Sequence, residues 1–224
     1  MREIVLDTET TGLDIEQGHR LVEIAGLELI NHIPTGNRFH RYVNPEAEMS
    51  DGAFAVHGLT AEFLSRQPVF AEIVAAFLEF IGDGPLVIHN AEFDLKFINV
   101  ELERLGSDHL PATRAIDTLR LARRKFPGAP ASLDALCKRF AIDNTARTLH
   151  GALLDAELLS EVYLELIGGR QSRMELTATD GTAARAAGRK RATRPPRPHA
   201  ASAEELAAHA ALLAKLKNPI WTQE

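Results

Sequence analysis

Short apolar runs near the start of the chain have the pattern of buried strands. Ile4-Val5-Leu6 is the first run, and residues 21–30 and 39–43 are the next two. Short, continuous apolar runs that end at turn residues are typical of strands inside a protein core. Because Pro34-Thr35-Gly36-Asn37 supplies turn residues between the second and third runs, we predict that these two strands form a hairpin.

Helical spacing follows a predicted loop at Val56-His57-Gly58-Leu59-Thr60. Apolar residues recur every three or four positions from Phe70 to Ile81, and Gly82 ends that helix. An all-apolar fourth strand at 86–88 and a short fifth strand at 115–118 alternate with further helices, predicted at 92–105, 119–125, 133–140 and 151–167. This order predicts an α/β fold, a mixed five-stranded sheet with helices on both faces.

The composition changes after Gly169. Residues 177–201 contain no large apolar side chain and are rich in arginine, alanine and proline, as is typical of a flexible linker. Ser202 and Glu205 then form a capping-box pattern before a leucine stripe and Trp221. We predict a folded domain at 1–170, a flexible basic linker at 171–201 and a helical segment at 202–224 whose apolar side needs a partner.

Composition and charge limit the class of protein. The 224 residues are 45% hydrophobic, enough for one domain with a full core, and the net charge of −6 does not suggest a general nucleic-acid binder. Cys137 is the single cysteine, so no disulfide can form within the chain and a reducing, cytoplasmic location is expected. Met1-Arg2-Glu3 leads directly into the first strand, so we expect no signal peptide, and the apolar runs are too short to span a membrane.

Two carboxylates follow the first strand at alternate positions. Asp7 and Glu9 should point to the same side, because residues i and i+2 of a strand share a face. Their repulsion at a buried strand end would be relieved by a cation. Oxygen ligands without a nearby cysteine favour Mg²⁺ or Mn²⁺ over zinc. An acidic turn without a metal is the alternative interpretation of this pair.

Further acidic residues strengthen the metal hypothesis. Asp94 should lie one turn into the helix after the fourth strand, and Asp155 should lie in the first turns of the last core helix, just after His150. Acids from three segments near strand ends and helix starts suit a two-metal phosphodiester site, and a neutral histidine can accept a proton from the attacking water. Asp117, at the end of the fifth strand, stays open as a further ligand.

These motifs resemble a known family. Asp7-Thr8-Glu9, Asn90-Ala91-Glu92-Phe93-Asp94, and His150 with Asp155 resemble the three exonuclease motifs of the DEDDh family, within the ribonuclease H-like superfold. Val56-His57-Gly58-Leu59 and Thr148-Leu149-His150-Gly151-Ala152 are similar to the proofreading (epsilon-type) subunits of bacterial DNA polymerase III. The likeness is close over about residues 1–170 and weaker in the tail.

The resemblance implies a 3′→5′ exonuclease that removes mispaired 3′-terminal nucleotides by two-metal-ion hydrolysis. It implies that His150 is the general base. It also implies that Asp7, Glu9, Asp94 and Asp155 hold two Mg²⁺ or Mn²⁺ ions, and that Asp7 binds both of them. His57 is expected to contact the terminal nucleotide. Gly52 takes a position where the family often has an acid, so a backbone contact is expected there. The residues expected to border the substrate are Asp7, Glu9, Gly52, His57 and Asp155.

The resemblance also implies partners. The expected substrate is a single-stranded or frayed 3′ end of DNA, and the 202–224 segment is expected to bind the polymerase (alpha) subunit. Gln171, Met174 and Leu176 resemble the short motif by which replication proteins bind the sliding clamp, with plain linker as the alternative. A small theta-like accessory subunit is a further candidate. Two other functions stay open: an RNA-trimming DEDDh enzyme, and an inactive module that only scaffolds a polymerase.

Overall fold

A mixed five-stranded sheet forms the centre of the domain, as predicted. The computed structural model describes residues 1–169 and 200–216. The strands are β1 (Arg2–Thr10), β2 (Leu21–Ile30), β3 (Ile33–Tyr42), β4 (Leu86–Ile88) and β5 (Ala115–Asp117), in the spatial order β3-β2-β1-β4-β5. The strand pairs β1–β2 and β2–β3 are antiparallel, whereas β4 runs parallel to both β1 and β5.

From residue 70 onward, the helices begin and end close to the predicted residues. The helices are α1 (Asp51–His57), α2 (Ala61–Leu64), α3 (Phe70–Ile81), α4 (Ala91–Arg104), α5 (Thr118–Lys125), α6 (Leu133–Phe140), α7 (Ala152–Leu166) and α8 (Ala203–Leu213). Gly82 ends α3 as predicted, and the Ser132 hydroxyl caps α6. Within the two described ranges, no helix has the length and apolarity that crossing a membrane requires.

Two hydrophobic cores, one on each face of the sheet, decide where the polar side chains of β1 point. Ile4 and Leu6 pack with α3 and α4, whereas Val5 packs with α5, α6 and α7. Because side chains alternate along a strand, Asp7 and Glu9 share the face of Val5, toward α7. Thr8 instead faces α4. The strand therefore presents one carboxylate pair and one hydroxyl to different helices.

The predicted position of the hairpin turn was wrong. The chain turns at Asn31 and His32, whose φ angles are +50° and +65°, and residues 34–37 lie inside β3. Two positive φ angles make the tight turn whose twist matches the strands on either side. Pro34 is tolerated because β3 is an edge strand, where an absent N–H breaks no further strand pairing. The residues that are typical of turns therefore lie within a strand.

The loop predicted around His57 is partly helical. The Ser50 hydroxyl accepts a hydrogen bond from the Ala53 N–H at 3.2 Å and starts α1, which ends where Gly58 adopts φ +71°. The sequence did not predict this helix, because Asp51 and Gly52 in its first turn both favour turns. As a result, Gly52 lies in the first turn of α1 and His57 at its last residue.

The capping box at the start of α8 is confirmed. The Ser202 hydroxyl accepts from the Glu205 N–H at 3.2 Å, and the Glu205 carboxylate accepts from the Ser202 N–H at 2.8 Å. Leu206 and Leu212 of this helix are exposed. The predicted clamp-binding residues Gln171, Met174 and Leu176, most of the predicted linker and Trp221 lie outside the described residues.

Candidate active site

β1 brings two predicted metal ligands to the middle of the sheet. Asp7 and Glu9 lie within the strand rather than beyond its end, and both remain partly exposed between buried neighbours. In the pairing with β2, Glu9 lies opposite Glu23, whose carboxylate is buried and 2.7 Å from Nε2 of His40. A third carboxylate thus lies behind the predicted pair.

Asp94 reaches β1 from the opposite face of the sheet. The backbone of Asn90 adopts φ +67° at the start of α4, so Asp94 lies in the first turn of that helix. The Thr8 hydroxyl donates a hydrogen bond to Oδ1 of the buried Asp94 at 2.7 Å. This contact joins two residues that are 86 positions apart in the sequence.

His150 and Asp155 come from the start of α7. Gly151 is the N-cap, and the buried Asp155 lies in the first turn. The His150 N–H donates to the carbonyl of Val56 at 3.0 Å, which ties this loop to α1. Asp155 therefore approaches the face of β1 that carries Asp7 and Glu9.

The side chains meet in one cleft and could hold a cation. Glu9, His150 and Asp155 each offer a ligand atom, and these three atoms lie within 4.8 Å of one another. The cleft has a volume of about 270 Å³ and is also lined by Asp7 and His89. Asp94 lies behind Asp7, held by Thr8. The structure thus brings together all four predicted carboxylates and the predicted base.

The electrostatics of the cluster fit a bound cation. Burial, and next the charge of Asp94, raises the pKa of Asp7 well above its ordinary value. Burial together with Asp155 and Glu23 raises the pKa of Glu9 to about 8. Burial raises the pKa of Asp94 to about 7, against the hydrogen bond from Thr8. Carboxylates crowded in this way favour the neutral form unless a positive charge joins them. Hard divalent cations with oxygen ligands match this donor set.

Arg147 is the residue at this site that the sequence analysis missed. Its Nε and Nη2 donate to the two carboxylate oxygens of Asp155 at 2.5 and 2.6 Å, and Nη1 donates to Asp134 at 2.9 Å. Nη2 also lies 3.0 Å from Nδ1 of His150. The only indication in the sequence was the position of this arginine, three residues before His150. No periodic pattern distinguishes such an arginine from an exposed loop residue.

A second, apolar pocket adjoins the end of β1. It has a volume of about 270 Å³ and is lined by Thr10, Leu13, Gly52, Val56 and His57, among others. Burial lowers the pKa of His57, which accepts from the Leu59 N–H at 3.0 Å and lies 3.3 Å from the Thr10 carbonyl. A Cβ atom at Gly52 would meet no atom within 4 Å, so this wall has free space. Gly52 and His57 thus share a pocket, and their contact with a nucleotide stays a prediction.

Asp117, His89 and Cys137 have structural contacts. Asp117 caps α5, because its Oδ1 accepts from the N–H groups of Leu119 and Arg120. Nδ1 of His89 lies 2.9 Å from the Thr118 hydroxyl. Cys137 is fully buried in the core between α6 and α7. The alternative of Asp117 as a metal ligand therefore loses its support.

Comparison with known proteins identifies the family. The family model for exonucleases, RNase_T, matches residues 4–163. The DNA polymerase III subunit epsilon of Rickettsia felis is 55% identical over 179 residues, which cover 79% of this chain and 78% of that protein. The chain belongs to the DNA polymerase III epsilon family. The epsilon subunit of Salmonella typhimurium is 46% identical over 226 residues, which cover 93% of this chain and 90% of that one.

The solved structure of Exonuclease X in complex with 5′ overhanging duplex DNA has the same fold as this epsilon-family chain. It is 27% identical with a TM-score of 0.59, and the alignment covers 74% of this chain and 91% of that one. The predicted ribonuclease H-like fold and the predicted family are confirmed. This epsilon-family protein is an exonuclease, and its family uses divalent metals.

Proposed function

We propose that this protein is the 3′→5′ proofreading exonuclease of a bacterial DNA polymerase III and removes mispaired 3′-terminal nucleotides by hydrolysis. The observation that carries the proposal is the convergence of Asp7, Glu9, His150 and Asp155 on one cleft, with Asp94 directly behind Asp7. Family membership supports it, since the alignments with two epsilon subunits cover most of the length of those proteins.

Each carboxylate has a role in the proposal. Asp7, Glu9, Asp94 and Asp155 would hold two Mg²⁺ or Mn²⁺ ions, which supply an activated water and offset the charge of the phosphodiester. Asp7 suits the shared position, because the charges of Asp94, Glu9 and Asp155 all act on it. The positively charged side chains of the described residues do not balance the negative charge of this cluster, so a bound cation would stabilise it.

His150 would accept the proton of the attacking water. Its side chain is about half exposed at the mouth of the cleft, where solvent water can reach it. Its backbone hydrogen bond to Val56 holds the loop next to the apolar pocket. That pocket, with Gly52 and His57 in its wall, would take the terminal nucleoside while Asp7, Glu9 and Asp155 border its phosphate.

The partners in this proposal follow the three-part division of the chain. The 1–170 domain would act on a single-stranded or frayed 3′ end of DNA, and the 202–224 segment would bind the polymerase (alpha) subunit. Gln171, Met174 and Leu176 would bind the sliding clamp, and a theta-like subunit could join the domain. A replisome of this kind is cytoplasmic. The exposed leucines of α8 support the polymerase contact, since they offer apolar surface to a partner.

One experiment separates this function from its two alternatives. Labelled single-stranded DNA and RNA of equal sequence are incubated with the full-length protein in Mg²⁺ and then in EDTA. We expect shortening of DNA from its 3′ end to nucleoside 5′-monophosphates, lost in EDTA. Faster shortening of RNA would favour an RNA-trimming enzyme, and the absence of any cleavage would favour a scaffold. A DNA primer with a 3′-terminal mismatch, compared with a matched primer, tests proofreading itself.

A further inference from the structure

Arg147 occupies one of the carboxylates of the proposed metal site. The side chains of Arg147 and Asp155 are only 7% and 5% exposed, and the guanidinium covers both oxygens of Asp155 in a two-pronged contact. One of these two oxygens is the ligand atom that Asp155 offers, with Glu9 and His150, to a candidate cation site. An arginine and a divalent cation would therefore compete for one face of Asp155.

The contact with His150 extends this competition to the proposed base. Arginine carries only hydrogen-bond donors, so a hydrogen bond from Nη2 requires His150 Nδ1 to be the acceptor. Nδ1 is then occupied by Arg147, and the ring proton of a neutral imidazole lies on Nε2. In this arrangement neither ring nitrogen of His150 is free to accept a proton from water. Arg147 thus contacts a proposed metal ligand and the proposed base at the same time.

Asp134 offers Arg147 another partner. It lies in the first turn of α6, its side chain is 58% exposed, and it already accepts from Nη1 at 2.9 Å. A guanidinium that leaves Asp155 can keep this contact and turn toward solvent. The charge of Arg147 would then move away from the cleft without being left buried and unpaired.

We propose that Arg147 is a positioning residue that exchanges with the metal: it holds Asp155 and His150 closed in the metal-free protein and moves onto Asp134 when cations bind. The inference rests on the proposed function. Arg147 offsets carboxylate repulsion in the metal-free site, and it also lowers the pKa of Glu9 against the larger opposing effects. Once divalent cations take over that task, the guanidinium is repelled by them.

Calorimetric titration of the full-length protein with Mn²⁺ tests the exchange. Arg147→Gln should bind Mn²⁺ roughly tenfold more tightly than wild type, the size of one charge-assisted hydrogen bond that no longer has to be broken. Arg120→Gln is the matched control, because it removes the same charge from an exposed position on α5. It should leave the Mn²⁺ affinity unchanged.

A second variant tests the partner for the displaced arginine. Asp134→Asn should weaken Mn²⁺ binding several-fold, because Arg147 would leave Asp155 without another carboxylate to join. In the double variant with Arg147→Gln, the effect of Asp134→Asn should disappear, as expected for two residues that act through one contact. Asp134→Asn changes an exposed side chain, so it remains informative if Arg147→Gln does not fold.

The outcomes separate this inference from the proposed function. Weaker Mn²⁺ binding by Arg147→Gln would show that Arg147 orients Asp155 for the metal and would overturn the exchange. Equal binding by both single variants and wild type would overturn it as well. Failure of the wild-type protein to bind Mn²⁺ at all would instead remove the proposed metal site itself.

Discussion

At the scale of single residues, crowding of carboxylates is the dominant physical feature of the cleft. Asp7 experiences burial and the charges of four other acids, so its negative charge opposes folding unless a cation is bound. A residue needed for metal binding is in this case costly to the metal-free fold. Stability and activity should therefore change in opposite directions when one acid is removed.

Asp7→Ala tests this opposition. We expect loss of nuclease activity and weaker Mn²⁺ binding, with a melting temperature in EDTA equal to or a few degrees above that of wild type, because repulsion is relieved. Activity, calorimetric titration and thermal melting are measured on the same preparation. Glu79→Gln removes one negative charge from an exposed position on α3 and serves as the control. Near-normal turnover by Asp7→Ala would contradict the two-metal assignment.

The raised pKa values predict how stability depends on pH. Glu9 titrates at about 8 in the folded protein instead of 4.5, so between these values the folded state binds more protons than the unfolded state. The stability of the metal-free protein should therefore fall as the pH rises from about 5 to 8. Asp94, with a pKa of about 7, acts in the same direction. Thermal melts in EDTA across this range check the sign.

Two comparisons sharpen the pH experiment. The melting temperature of Glu9→Gln should decline less steeply with pH, because one carboxyl group with a raised pKa has been removed. Saturating Mn²⁺ should reduce the decline in the wild-type protein, and metal affinity should rise with pH as protons leave the ligands. A metal-free melting temperature that rises steadily from pH 5 to 8 would show that these carboxyls do not titrate as described.

His150 lies close enough to Glu9 and Asp155 to be either a base or a ligand. We expect His150→Ala to lower turnover by roughly 10²–10⁴-fold, the range for loss of a general base, while Mn²⁺ binding persists. Steady-state kinetics and calorimetry on the same variant distinguish the roles. If Mn²⁺ affinity falls with turnover, His150 is a ligand and the proposed role is wrong.

At the level of secondary structure, one face of β1 packs toward α4 and the other toward α7. The strand directs Asp7 and Glu9 toward α7 and Thr8 toward α4, so one strand contacts the other two acids from opposite sides. Helix starts deliver both of these acids, since Asp94 and Asp155 each lie in a first turn. A negative charge is stabilised near a helix N-terminus, which offsets part of the cost of burying it.

Thr8→Val tests the contact between β1 and α4. The substitution keeps the shape but removes the hydroxyl that donates to Asp94, leaving a buried carboxylate without this partner. We expect a loss of about 1–3 kcal/mol in the free energy of unfolding, measured with denaturant, and lower nuclease activity. Thr113→Val, at an exposed position, is the control. A change within 0.5 kcal/mol, as is usual for surface positions, would show that the hydroxyl does not hold Asp94.

At the scale of the whole molecule, the exonuclease domain should work without the tail. All residues of the described cleft lie between Asp7 and Asp155, and the cores on both faces of the sheet are formed by residues before Gly169. The helix α8, taken by itself, has exposed leucines and a complete capping box. A lone helix of this length is marginal in water, so its stability should come from a partner.

Truncation after Gly169 is the corresponding prediction. We expect nuclease activity on free single-stranded DNA to remain near that of the full-length protein, while co-purification with the polymerase subunit is lost. Activity assays and affinity purification of the two forms are compared side by side. An unfolded truncated domain, or polymerase binding that survives the truncation, would contradict the proposed division of the chain.

The sequence alone was enough to predict the order of the five strands, the helices from residue 70 onward, the four acids, the histidine and the family. These follow from patterns that are local in the chain: periodic apolar positions, helix caps, and short motifs in which neighbouring residues act together. The turn at Asn31 and His32 was missed because the twist of two paired strands, and not turn preference alone, selects where a hairpin reverses.

Which charged groups meet depends on the packing of the folded domain. The pairing of Glu9 with Glu23 depends on the register between β1 and β2, and the bond from Thr8 to Asp94 depends on how α4 packs on the sheet. The bond from Arg147 to Asp155 and Asp134 depends on how α6 packs beside α7. No sequence period records such contacts, because each is created by packing of elements that lie apart in the chain. Electrostatic interaction falls off with distance in space, so the raised pKa values of these carboxyl groups follow from the fold.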